Sequence, residues 1–166
     1  MNSNLIKYTL QIPVYVLIQV LVLNEILFLS YINPFLYIIL ILVLPYNTPK
    51  WFLICYAFLL GISIDIFSGS LGFHAFSSVL IAFLKNTITK ITIPHNIVDE
   101  NDELIMQKIG PKSFLTFTFL LSFIHLSSLF FLEHLMLDFK IILKIFLSSI
   151  TTTIIILITQ LFFYKK

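Results

Sequence analysis

The sequence predicts an all-α polytopic membrane protein with about six transmembrane helices in one bundle, and three observations carry that reading. Of 166 residues, 59% are hydrophobic and only 11% are charged, whereas a soluble globular chain is roughly half apolar. Mean hydropathy is +1.04. Apolar runs close to the ~20 residues that cross a bilayer as a helix recur along the whole length. Residues 1–166 therefore read as a single integral membrane domain.

The first span is expected at residues 10–29. It follows Lys7 as a secretory signal would, but no small-x-small cleavage site follows and the chain runs straight into further apolar sequence, so it reads as a retained anchor. The second, 32–46, is short, with Pro34 at its start and Pro45 at its end. Proline is tolerated in a first helical turn and disruptive further in, which suits both positions. The third span is expected at 51–67 and the fourth at 71–84, joined by Ser68, Gly69, Ser70 and Gly72, residues suited to a tight reversal. A polar stretch, 85–112, carries four acids and four lysines and reads as a loop. Within it, 97–109 is either a short surface helix, with Ile97, Leu104, Ile105 and Ile109 at near-helical spacing and an acid at its start, or a solvated linker. The fifth and sixth spans are expected at 113–132 and 141–164.

Lysine placement sets the expected orientation, because cytoplasmic loops are enriched in basic residues near span ends. With both termini in the cytoplasm, eight lysines (Lys7, Lys50, Lys85, Lys90, Lys108, Lys112, Lys165, Lys166) fall on that side and two, Lys140 and Lys144, fall outside. Tyr31, Tyr46, Trp51 and Tyr164 then sit near interfaces, where amphipathic rings are favoured.

Net charge is +2 and all ten basic residues are Lys. A nucleic-acid face needs clustered basic side chains with stacking aromatics, and no such cluster is present. The single cysteine, Cys55, excludes an intramolecular disulfide. No H-E-x-x-H, P-loop or Cys-His cluster occurs, so no metal or cofactor is expected.

Polar residues at bilayer depth face other helices or a cavity, since lipid cannot satisfy them. Gln11, Tyr15 and Gln19 repeat every four residues in the first span; Thr118, Ser122 and His125 share a face of the fifth; Ser148, Thr152 and Thr159 share one of the sixth. Two readings fit these stripes: close helix–helix packing with modest hydrogen bonds, or the lining of a ligand cavity. Of them, Gln11, Gln19, Ser122, His125 and Thr152 form the candidate inner polar face. His125 has no carboxylate or second His one turn away in its span, which favours a neutral, hydrogen-bonded histidine over a metal ligand. Glu133, His134 and Asp138 read as a solvated turn.

Asp65 lies ~21 Å along a helix from Trp51, near the outer interface, where the cost of an acid falls well below the ~2.5–3.5 kcal/mol assigned at mid-bilayer. Gly61, Asp65 and Gly69 are spaced by four and share a face that lets a neighbour approach closely. Ser68, Ser70 and the backbone amides of the turn are the expected donors to the acid.

Gly61-x-x-x-Asp65 followed by Gly69, Leu71-Gly72 and Ala75 resembles the signature of the MreD family of rod-shape-determining membrane proteins. "YINPFLYIILILVLP", residues 31–45, is similar to the family's second span, and "GFHA", residues 72–75, fits its Bacteroidetes-type branch. The resemblance covers nearly the whole chain. After the fourth span the sequence departs from the family in carrying only Lys85 and Lys90, with no Arg. The resemblance implies a non-enzymatic scaffold of cell-wall elongation in the bacterial inner membrane. Its partners would be an MreC-like single-span protein, the MreB filament, and a RodA-type glycosyltransferase with its transpeptidase, in support of lateral peptidoglycan synthesis. It also implies a fold like the six-helix substrate-binding components of energy-coupling-factor transporters.

Such a vitamin- or solute-binding transporter component is itself the rival reading. Those proteins commonly carry an Ala-x-x-x-Ala docking pair, whereas Ala57, Ala75 and Ala82 are never four apart. An intramembrane serine hydrolase is a weaker rival: Gly61-Ile62-Ser63 resembles the start of a G-x-S-G motif, but the next residue is Ile64. A serine nucleophile also needs a positioned base.

Overall fold

A computed structural model describes residues 3–25, 32–94, 99, 102–135 and 138–163. Helix α1 (Ser3–Ile18) runs through Pro13 and passes into one π-helical turn, Gln19–Leu23. An irregular stretch at residues 33–35 leads into a 3₁₀ turn, Leu36–Ile38, and the short α2 (Ile39–Leu42). Then follow α3 (Lys50–Ser68), α4 (Phe73–Thr92), α5 (Met106–Ile109), α6 (Pro111–His134) and α7 (Phe139–Phe163). Pro49 precedes α3 and Pro111 opens α6, where a missing amide proton costs no helical hydrogen bond.

The described chain is a helical membrane protein. Three of its helices, Lys50–Ser68, Pro111–His134 and Phe139–Phe162, are long and apolar enough to cross a bilayer. The apolar helix Lys7–Leu23 is shorter. Large apolar side chains such as Phe58, Ile66, Phe83, Leu115, Phe146 and Ile154 face outward, as a lipid environment requires. Inside, α3 packs on α4, α4 on α6 and α6 on α7. The segment from Tyr37 to Leu44 is enclosed, each residue 0–1% exposed, with α1, α3, α4 and α7 around it.

Several expected boundaries shift. The second span, 32–46, is not one continuous helix: only residues 36–42 are helical. Its apolar character comes from burial in protein, and irregular backbone is tolerated at membrane depth only there. The fourth helix runs on past residue 84 to Thr92. Lys85 therefore leaves the expected loop and lies fully buried within α4, together with Thr89. Of the expected short surface helix or solvated linker at 97–109, the described residues form only the four-residue α5, and they are not a free linker. Leu104 and Ile109 are buried, the Leu104 amide donates to the Val43 carbonyl at 3.3 Å, and Tyr8 donates to Glu103. The Met106 amide reaches Gln160 Oε1 at 3.3 Å, so residues 103–109 dock across one end of the bundle. Residues 26–29 of the first span, Tyr31, Ile97, and the terminal Tyr164, Lys165 and Lys166 lie outside the described residues.

Candidate functional site

The hairpin between α3 and α4 is organised by Asp65. Helix α3 ends at Ser68, and Gly69, in the left-handed region at φ 67°, returns its amide to the Asp65 carbonyl. The Ser70 amide donates to the same carbonyl at 3.1 Å. Gly72, φ 86°, occupies the N-cap position of α4, where a side-chain oxygen normally accepts the first free amides and glycine has none. Asp65 supplies it from the neighbouring helix. Its Oδ1 accepts from the His74 amide at 3.1 Å and from the Ser70 hydroxyl at 2.5 Å, and its Oδ2 accepts from the Ala75 amide at 2.9 Å. An acid at a helix N-terminus also meets the favourable end of the helix dipole. Asp65 is 2% exposed, and this set of donors makes its burial tolerable. Gly61 lets the two helices meet: a Cβ there would stand 2.5 Å from the Ala75 Cα and 2.6 Å from the His74 carbonyl oxygen.

A second set of polar side chains serves the broken central segment, whose backbone groups lack helical partners. Gln19, at the head of the π turn, accepts from the Leu36 amide and donates to the Pro34 carbonyl, both at 2.9 Å. Thr152 accepts from the Phe35 amide at 3.0 Å and Ser148 from the Asn33 amide at 3.4 Å. Lys85 donates to the Leu44 carbonyl at 2.5 Å. Helices α1, α4 and α7 thus each satisfy a part of one buried backbone stretch.

The third feature is a chain of three side chains. The Tyr37 hydroxyl lies 3.0 Å from His74 Nδ1 and 2.7 Å from His125 Nε2. Phe35 packs against both imidazoles, at ring-centroid distances of 5.9 and 6.3 Å. His74 lines an open cleft of about 490 Å³ at the hairpin end of the bundle. Asn24, Asn33, Ser70, Glu133 and Lys144 supply its polar walls, and the Lys144 ammonium sits 4.4 Å from the Phe130 ring centroid. His125 is fully buried. Among the described residues, no hydrogen bond reaches the buried hydroxyls of Ser77, Thr118 and Ser122.

The sequence-derived residues divide accordingly. Gly61, Asp65, Gly69, Gly72 and Ala75 come together in the hairpin. Gln19 and Thr152 meet at the central segment, while His125 and Ser122 are buried on α6, His125 against the Tyr37 hydroxyl. Gln11 joins neither group; it is half-buried, and among the described residues no partner reaches its Oε1. Thr159 folds back onto the Ile155 carbonyl of its own helix. Ser63 does the same with the Leu59 carbonyl, at 2.7 Å. Sequence reasoning did not single out Tyr37, His74 or Lys85. The signal for Lys85 is its place seven residues after Ser78, two turns along the same helical face; Tyr37 stands in an unbroken apolar run and gives none.

No protein-family model matches the chain, and no curated protein or solved structure matches it significantly.

Proposed function

We propose that this chain is a non-enzymatic scaffold of the cell-wall elongation machinery in the bacterial inner membrane. In this reading it crosses the membrane about six times, keeps both termini in the cytoplasm, and supports lateral peptidoglycan synthesis with MreC-like, MreB and RodA-type partners. The observation that carries the reading is the hairpin: Gly61, Asp65, Gly69, Gly72 and Ala75, five residues of the pattern that resembles the MreD signature, each have a structural task there. A pattern with that much interlocking geometry is more specific than a chance pairing of glycines and an acid. The Ser63 hydroxyl donates to the Leu59 carbonyl of its own helix, which counts against the serine-hydrolase rival alone. Helix α4, 20 residues long, is ~30 Å from end to end and has the length of a further span.

Depletion of the protein in its rod-shaped host is the test. The reading expects cells to round up, and expects wild-type protein but not Asp65→Leu to restore rods. Unchanged rods after depletion overturn it.

A second reading is favoured by one observation. The cleft of about 490 Å³, with Glu133 and Lys144 on its walls, is large enough for a small solute. That would suit the substrate-binding component of a transporter, with a fold like those of energy-coupling-factor systems.

A further inference from the structure

We propose that the open cleft at the hairpin end of the bundle is a binding site for a phosphoethanolamine headgroup, carried by a phospholipid of the adjoining leaflet. The proposal stands on the cleft alone and rests on neither reading of the chain's function.

The cleft lies at headgroup depth. The three helices long and apolar enough to cross a bilayer have one end each at Ser68, His134 and Phe139. The cleft is lined from those same ends, by Ser68 at the close of α3, Glu133 at the close of α6 and Lys144 five residues into α7. Helices α6 and α7, of 24 and 25 residues, are about 36 and 38 Å long, against ~30 Å of hydrocarbon. Their terminal turns therefore stand among lipid phosphates and ammonium groups.

Its two charges are not spent on each other. A lysine near the end of a span ordinarily extends its ammonium outward to the interface. Lys144 instead turns inward, its ammonium 4.4 Å from the centroid of Phe130, a ring that is 2% exposed. Among the described residues no carboxylate pairs with Lys144, and the ion-pair partner of Glu133 is His134 of its own helix, at 3.9 Å. A ligand of one sign would answer one of these charges and oppose the other. A headgroup with a phosphate and a primary ammonium two carbons apart answers both, the phosphate at Lys144 and the ammonium at Glu133.

The neutral groups of the lining suit the same division. A primary ammonium has three N–H donors, and Asn33 Oδ1 is an acceptor that no hydrogen bond reaches among the described residues. The Ser68 hydroxyl accepts from Asn24 at 3.3 Å, which leaves its own proton to donate to a phosphate oxygen. The remaining walls are apolar, and Leu71 among them is 87% exposed. A free headgroup would leave that apolar surface bare, whereas the glycerol and first acyl carbons of a phospholipid cover it.

The test is native mass spectrometry of the protein in detergent, titrated with dioleoyl phosphatidylethanolamine, phosphatidylglycerol or phosphatidylcholine. One phosphatidylethanolamine is expected to bind at least about fivefold more tightly than either other lipid, somewhat less than one charge-assisted hydrogen bond is worth. Phosphatidylglycerol brings no cation to Glu133, and the choline ammonium has no N–H. Glu133→Gln should abolish the preference over phosphatidylglycerol, and Lys144→Gln should weaken phosphatidylethanolamine binding by at least about fivefold. Glu133 is exposed, so its variant decides should Lys144→Gln not fold. Free phosphoethanolamine, added in competition, is expected to displace the lipid only in large excess; displacement at matching concentration overturns the lipid as the source of the headgroup. No preference among the three lipids, a preference unchanged in Glu133→Gln, or unchanged binding in folded Lys144→Gln overturns the site.

Discussion

Gly61 and Ala75 meet so closely that a Cβ on Gly61 would stand 2.5 Å from the Ala75 Cα. The atoms in the way are backbone, which cannot swing aside as a flexible side-chain tip can. Gly61→Ala must therefore push α3 and α4 apart. A loss of about 1–3 kcal/mol is expected, typical of overpacking, with a larger loss for Gly61→Leu. Thermal unfolding in mild detergent checks it; unchanged midpoints for both variants would refute the close-approach account.

Asp65 stands between those helices as the cap that Gly72 lacks. Asp65→Leu leaves the Ser70 hydroxyl and the His74 and Ala75 amides without their acceptor, an expected loss of about 2–4 kcal/mol. Asp65→Asn keeps one accepting oxygen and should lose about 1–2 kcal/mol, within the range for weakened caps. Stability ranks wild type, Asn, Leu. If Asn and Leu are equally stable but equally inactive in restoring cell shape, the acid is read by a partner and its capping role is not what function needs.

The two glutamines of one helical stripe separate cleanly. Gln19 holds the Pro34 carbonyl and the Leu36 amide, so Gln19→Leu orphans two buried backbone groups and should lose about 2–4 kcal/mol. Among the described residues no partner reaches Gln11 Oε1, and Gln11→Leu should stay within about 0.5 kcal/mol of wild type. Equal effects at the two positions would mean that the stripe packs as a unit and does not serve the central segment.

Lys85 is fully buried on the Leu44 carbonyl, whereas Lys90, little more than a turn along the same helix, is exposed. An amine-reactive ester applied to the protein in nanodiscs should modify Lys90 readily and Lys85 only after unfolding. Mass spectrometry of the digest reads both sites. Equal modification in the folded protein would place Lys85 in a solvated loop.

What could be read from the sequence follows where the partners of each residue lie. The α3–α4 hairpin was legible because its parts are neighbours in the chain: Asp65, Ser70 and Gly72 lie within eight residues, and spacing by four put Gly61 and Asp65 on one face. The central segment was not, because hydropathy alone does not separate a run buried in lipid from one buried in protein. The polar stripes of α1 and α7 were visible, but their partners are backbone groups of residues 33–36, which leave no mark in the side-chain pattern. Charge alone places Lys85 in the loop after the fourth span, whereas a helix that continues to Thr92 carries it inward. Tyr37 meets residues 37 and 88 positions away, a pairing that only the folded chain reveals.

The central functional claim is tested most directly by gentle-detergent co-purification of the tagged protein from its native membrane, followed by mass spectrometry. The elongation-scaffold account predicts recovery of an MreC-like single-span protein together with a RodA-type glycosyltransferase. Recovery instead of paired ATPases with a transmembrane coupling subunit would contradict it, and would assign the polar cleft beside His74 to a transported solute.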